Sequence, residues 1–382
     1  MDAPNDLLSR PPEEGARLIA LSWLDQAAAA FPRLQDPADT EALHDFRVGL
    51  RRLRSCLRSY RAYLEESLPK KLRRRLRDLA GSTGPGRDTE VQIEWLRGRS
   101  RHLSSYHRAG LSWIVGRLEE RMRAANDEMS ASLPKEFPRI EKDLRDRLST
   151  YHTEIHLALP SPTLAEVTAG ILRHQATELE SHLARVDGPE DEHEAHEARI
   201  SAKRLRYLLE PFDLPEATGI AGVIKRTKKL QEILGELHDA HVLEAELSES
   251  LQIAASERVR RLLEVSLSEA PDDALIRAER RRVRESGLLA LARLNRARRN
   301  RLFAELEADW LEGRGARFFE EAAAVVERLG PHPPAPSPGP PSTPSPGEGE
   351  TDTSKKKLGE IEEAVPEPVQ PSEGGTRRPR FM

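Results

Sequence analysis

His44-Asp45-Phe46-Arg47-Val48-Gly49-Leu50-Arg51-Arg52-Leu53-Arg54 returns 152 positions later as His196-Glu197-Ala198-Arg199-Ile200-Ser201-Ala202-Lys203-Arg204-Leu205-Arg206. In the first copy Phe46, Leu50, Leu53, Leu57, Tyr60 and Leu64 follow one another at spacings of 4,3,4,3,4. That period predicts a helix with one continuous apolar seam. His44, Arg47, Arg51, Arg54 and Arg58 form a second row at 3,4,3,4. Two positions separate residue 46 from residue 44, a turn of about 200°, and the rows lie on separate faces of the helix. The second copy sets Ala198, Ala202, Leu205 and Leu209 against His196, Arg199, Lys203 and Arg206. Position 210 is Glu where the first copy has Arg58, which shortens the second row by one residue.

The matching extends outward on both sides. Pro37 falls on Pro189 at the same offset, and a proline in a first turn marks a helix start. GPGRDTEV (84–91) falls on GELHDAHV (235–242) at an offset of 151, placing Asp88 on Asp239 and Arg87 on His238. Both G-x-x-x-D stretches read as turns. Gly81, Gly84 and Gly86 lack the Gly-Lys-Ser/Thr ending of a phosphate loop. Before the turn, Lys70, Arg74 and Arg77 form a further basic row opposed by Leu72, Leu76 and Leu79, with Lys225 and Lys228 on Arg74 and Arg77. A basic helix, a second basic helix and a turn in the same order twice predict an internally duplicated chain.

The rest of the chain agrees with helices. Charged residues make up 32% and aromatics 4% of 382 residues, with Ala, Leu, Arg and Glu dominant. Segments with the helical period are expected at 16–31, 40–64, 69–80, 90–133, 164–186, 191–210, 222–251, 258–267, 273–308 and 316–329. Pro160-Ser161-Pro162, Pro211 and Pro215 supply breaks. The polar stretch 1–15 and the tail 330–382, with 13 of the 28 prolines at 331–382, are expected to be disordered. The helical domain then spans 16–329, with repeat halves at about 16–160 and 161–329. The expected fold is all-α, an internally duplicated bundle with pseudo-twofold symmetry, in which four basic helix faces converge on a central groove or channel.

Charge directs the functional reading. The net charge is −4, yet 44–87 holds 13 Lys/Arg against 4 Asp/Glu. Such segregation suggests a local anion site rather than a general coat for DNA. A solvated helix face usually mixes signs, because like charges at i,i+3 and i,i+4 repel by roughly 0.2–0.5 kcal/mol per pair. These rows contain almost no acid and occur twice, so a bound anion is expected to neutralise them. Successive side chains in a row are about 5 Å apart along the axis, which suits a polymer of regularly spaced phosphates. Arg277, Arg280–Arg282 and Arg284, with Arg293, Arg296, Arg298, Arg299 and Arg301, are a candidate extension of that surface.

HDFRVGLRRLR and HEARISAKRLRYLLE, each followed by a basic helix and a G-x-x-x-D stretch, resemble the CHAD domain, the conserved histidine α-helical domain. The resemblance covers roughly 16–329. It implies a helical bundle with internal twofold pseudosymmetry that binds inorganic polyphosphate, often at polyphosphate granules. It implies a site lined by His44, Arg47, Arg51, Arg52, Arg54, Arg58, Lys70, Arg74, Arg77 and Arg87 in the first copy. In the second copy the implied residues are His196, Arg199, Lys203, Arg204, Arg206, Lys225, Lys228 and His238. Many relatives carry a triphosphate-tunnel metalloenzyme domain. The near match to that domain's E-x-E-x-K signature, Glu360-Ile361-Glu362, lies in the tail without the lysine, so its catalysis is not carried over.

A non-enzymatic polyphosphate binder without cofactor or metal is therefore the leading expectation, and a nucleic-acid binder the runner-up. Single-strand readers need aromatic platforms, and the basic helices offer little beyond Tyr60 and Tyr207. Base readout would want Asn or Gln within the rows, which have none. A phosphotransfer enzyme would need clustered carboxylates for Mg²⁺. His152/His156 and His238/His241 have spacings open to zinc, but Cys56 is the only cysteine. Asp88 and Asp239 are expected to orient an arginine or cap a helix rather than act as bases. With no signal peptide or long apolar run, a cytoplasmic location without membrane contact is expected.

Overall fold

The computed structural model describes residues 4–36, 38–150, 162–213, 219–267, 274, 277 and 284–330. Among these, every regular element is helical. The first are α1 (Pro4–Ser9), α2 (Pro12–Ala30), α3 (Ala42–Ser59), α4 (Arg61–Leu64), α5 (Lys70–Ser82), α6 (Gly84–Gly98) and α7 (Arg108–Ser149). They are followed by α8 (Leu164–Leu183), α9 (Glu192–Leu209), α10 (Ile220–Ser266), α11 (Arg284–Trp310) and α12 (Ala316–Leu329). Pro37, the breaks at 160–161 and Pro215, and the tail 331–382 lie outside the described residues.

Local chemistry sets several helix starts. Thr163 and Glu166 form a reciprocal capping box at α8, and the Asp191 side chain accepts from Glu194 N–H at α9. Pro12 opens α2, and Pro69 immediately precedes α5. Gly219, at φ 91°, turns the chain into α10 through a left-handed conformation that favours glycine.

Packing overrides several expectations. The stretch 1–15 is not wholly unstructured: it contains α1 and the first turn of α2. Leu7 and Leu8 pack against the core, and the Leu164 N–H donates to the Arg10 carbonyl at 2.8 Å. The G-x-x-x-D stretches are not turns either. Gly84 to Val91 opens α6 after a one-residue break at Thr83, and Gly235 to Val242 lies inside α10. The break follows from Thr83 and Ser82, whose hydroxyls donate back to the Ala80 and Leu79 carbonyls, and from Pro85 in the next turn. The second half has Leu234 where the first has Thr83, so its helix runs through, and the expected gap between 251 and 258 is absent as well. Within 90–133 the chain breaks near 99–107, then continues as α7 across Pro134 and Pro138. Each internal proline costs about 3 kcal/mol. The buried seam Leu133, Phe137, Ile140, Leu144 and Leu148 offsets that cost.

The core has two clusters. The larger draws on α2, α3, α5, the C-terminal part of α7, α8, α9, the start of α10, the end of α11 and α12. The smaller joins α6, the start of α7, the latter part of α10 and the start of α11. Each mixes residues from before 160 and after 161, so neither expected half carries a core of its own.

The α3 seam is buried as its period requires: Phe46, Leu50 and Leu53 are fully enclosed. Gly49 lets α2 approach closely, since a Cβ there would lie 2.9 Å from the Ala27 backbone nitrogen. Gly49→Leu is therefore expected to destabilise the protein by about 1–3 kcal/mol, seen as a lower urea midpoint with circular dichroism. An unchanged midpoint would contradict the close α2–α3 contact.

Candidate functional site

With the seams buried, α3 and α9 pack against each other, and Arg51 Nη1 donates to the Tyr207 hydroxyl at 3.3 Å. A cavity of about 330 Å³ opens beside this contact. Arg47, Arg51 and Arg54 of α3, Arg199 and Lys203 of α9, and His238 and Asp239 of α10 line it, with Asp88 and Gln92 of α6. A second cavity, of about 350 Å³, adjoins at Arg54 and continues over Arg58, Arg61, Lys70, Arg73, Arg74 and Arg77.

The charge of the first cavity is poorly compensated. Among the described residues Arg54, Arg199 and Lys203 form no ion pair, and Arg199 Nε is buried without a hydrogen-bond partner. Arg47 reaches Asp88 only at 3.9 Å, and its Nη1 is likewise buried and unpartnered. Burial lowers the pKa of Arg47, Arg54 and Arg199. Burial and then the neighbouring Arg199, Arg51 and Arg206 push Lys203 down to about 7. Burial, followed by Arg199, His196 and Lys203, brings His238 down to about 4. Its ring centroid lies 4.8 Å from that of His196, with the Nδ1 atoms 3.4 Å apart. Burial raises the Asp239 pKa against the pull of Arg199.

The other implied residues sit differently. Arg52 and Arg206 both pair with Glu210, at 2.6 and 3.1 Å. Arg87 pairs with Glu90 at 2.7 Å, and Arg204 lies 3.9 Å from Glu178. His44, Lys225 and Lys228 are exposed, and like His196 they line neither cavity. Arg74 and Arg77 line the second cavity while sharing Asp78. Arg61 and Arg73 also line it and escaped the sequence-based selection. Their signal was present, because Arg61 follows Arg58 by three and Arg73 stands between Lys70 and Arg77 at 3,4 spacing.

The arginines near the C-terminal helices do not extend this surface as a group. Arg284 pairs with Glu257, Arg298 with Glu236, and Arg299 with both Glu190 and Glu244. Arg280–Arg282 lie outside the described residues, as do His152 and His156. His241 Nε2 bonds to the Pro189 carbonyl, so it holds the chain rather than facing the cavity. Among the described residues no group of three or more His, Cys, Asp or Glu is placed to hold a metal, and no helix is long and apolar enough to cross a membrane. A further cavity between α8, α11 and α12 presents Glu180, Asp187, Glu307 and Glu312 beside Trp310, a lining that repels anions.

The model of the CHAD domain matches residues 19–248, from α2 to well inside α10. The chain belongs to the CHAD domain family. That match contains every residue lining the two basic cavities. Among solved structures, the CHAD domain from the plant Ricinus communis is 23% identical with a TM-score of 0.52. The similarity covers 71% of this chain and 92% of that one, and it shows a shared CHAD fold. PptA from Streptomyces chartreusis is 14% identical with a TM-score of 0.44, over 76% of this chain and 99% of that one. A search of the curated proteins finds no match.

Proposed function

We propose that this CHAD domain protein binds inorganic polyphosphate along its two adjoining basic cavities, without turning it over, and is thereby held at polyphosphate granules. One observation carries the reading. Arg54, Arg199 and Lys203 face a common space, are partly desolvated, and form no ion pair among the described residues. Burying unpaired cations is unfavourable, and a bound polyanion supplies the missing charge. Membership of the CHAD family supports a polyphosphate-related role. The two copies of the His-x-x-Arg helix, α3 and α9, are read as halves of a duplicated domain that bring matched rows to one basic groove.

Nucleic acid fits this site less well. Tyr60 and Tyr207 are 2% and 6% exposed, so neither offers a face on which a base stacks. The carboxylates at the cavity, Asp88 and Asp239, act on Arg47 and Arg199 through space: Asp88 lies 3.9 Å from Arg47, and Asp239 makes no ion pair with Arg199.

A competition titration tests the proposal. Long-chain polyphosphate is expected to displace single-stranded DNA and RNA at equal phosphate concentration, and preference for either nucleic acid would overturn it. Incubation with polyphosphate and Mg²⁺ is expected to release no phosphate beyond a control in which Arg199 and Lys203 are alanine. Release above that control would make the protein an enzyme.

A further inference from the structure

The two matched rows differ in sign at one place: Arg58 ends the first, and Glu210 stands at the equivalent position of the second. The Glu210 side chain is 8% exposed, with Oε2 on Arg52 Nε and Oε1 beside Arg206 Nε. Arg52 also lies over Trp23 at 4.8 Å, and Arg206 over Tyr207 at 4.7 Å. One enclosed carboxylate thus accepts a hydrogen bond from Arg52 of α3 and pairs by charge with Arg206 of α9, whose Nε makes no hydrogen bond. Two-pronged bridging of this kind is what a phosphate between α3 and α9 would otherwise supply.

The matching end of the first row is open. Arg54 belongs to both cavities, and beyond it Arg58, Lys70 and Arg73 make no ion pair among the described residues. Lys225 and Lys228, the second-half counterparts of Arg74 and Arg77, border neither cavity.

We infer that Glu210 is a built-in counter-anion that closes the second-half end of the track, so that polyphosphate leaves the shared cavity over α3 and α5 alone. Arg52 and Arg206 then serve the protein's own carboxylate instead of the ligand. A duplicated scaffold becomes a one-sided site by a single charge reversal. The inference rests on the polyphosphate reading above and adds a direction to it.

The test compares salt-dependent binding of long-chain sodium polyphosphate by the full chain and three variants. Lys70→Ala/Arg74→Ala is expected to weaken binding and lower the slope of log K against log salt by about 1.5, at roughly 0.7–0.9 for each lost phosphate contact. Lys225→Ala/Lys228→Ala is expected to leave affinity and slope unchanged. Glu210→Gln, which frees Arg52 and Arg206, is expected to tighten binding and raise the slope. Equal losses from the two lysine-containing pairs would overturn the inference, as would a folded Glu210→Gln protein that binds more weakly. All four residues in the paired variants are exposed, so that comparison decides even if Glu210→Gln does not fold. A wild-type protein that binds no polyphosphate would remove the proposed function itself, and this inference with it.

Discussion

Replacing Arg47, Arg51, Arg199 and Lys203 together with alanine lowers polyphosphate affinity by about two to four orders of magnitude, at roughly 1.5–3 kcal/mol for each charged contact with incomplete additivity. The same variant flattens the slope of log K against log salt by about 3, since each neutralised phosphate contributes roughly 0.7–0.9. Isothermal titration calorimetry across a salt series reads both quantities. The variant also melts no lower than the parent. These four cations crowd one cavity, and the nearest compensating contact is the 3.9 Å approach of Arg47 to Asp88. Their removal relieves repulsion and desolvation, a trade of stability for function typical of binding sites. Undiminished affinity in a folded variant would refute the site, and a large fall in melting temperature would show the four to be structural supports.

The second large effect is on pH. Lys203 is held at about 7 in the free protein, well below the ordinary lysine value of 10.5. A phosphate beside it favours the charged form and raises that pKa, so binding takes up a proton between pH 7 and the bound-state value. Affinity therefore falls as pH rises above 7, by at most about tenfold per unit, and the Lys203 contribution levels off below 7. His238, lowered to about 4 from 6.5 in the free protein, adds a second gain on acidification toward 4. The free protein's stability runs the other way. An unfolded Lys203 binds its proton more tightly than the folded one, so unfolding becomes harder as pH rises from 7 toward 10.5. Titrations at pH 7, 8 and 9 in buffers of different ionisation enthalpy measure the proton uptake. Lys203→Arg, whose charge does not titrate in this range, is expected to remove most of the dependence. Affinity that is flat, or that rises with pH, in the parent protein would contradict the assignment.

Periodicity along one helix depends only on the chain, so it was legible. The 3.6-residue repeat places Phe46, Leu50 and Leu53 about 100° round the helix from Arg47, Arg51 and Arg54 whatever the helix packs against, and in the structure the first set is buried while the second lines the cavity. The capping chemistry of Thr163 and Asp191 is equally local. Where a local signal and packing disagreed, packing prevailed. Pro134 and Pro138 lie within α7, and the glycines of both G-x-x-x-D stretches are helical.

The amino-acid sequence by itself determined an all-helical chain, the CHAD-type motifs and which faces carry charge. Tertiary structure alone decided which charges remain uncompensated. Glu210 reaches Arg52 across 158 residues, and Glu190 reaches Arg299 across 109, while among the described residues no acid comes within ion-pair distance of Arg199 or Lys203. The reason is that neutralisation and desolvation depend on distances of a few ångströms between segments far apart in the chain, and no spacing along one helix encodes them.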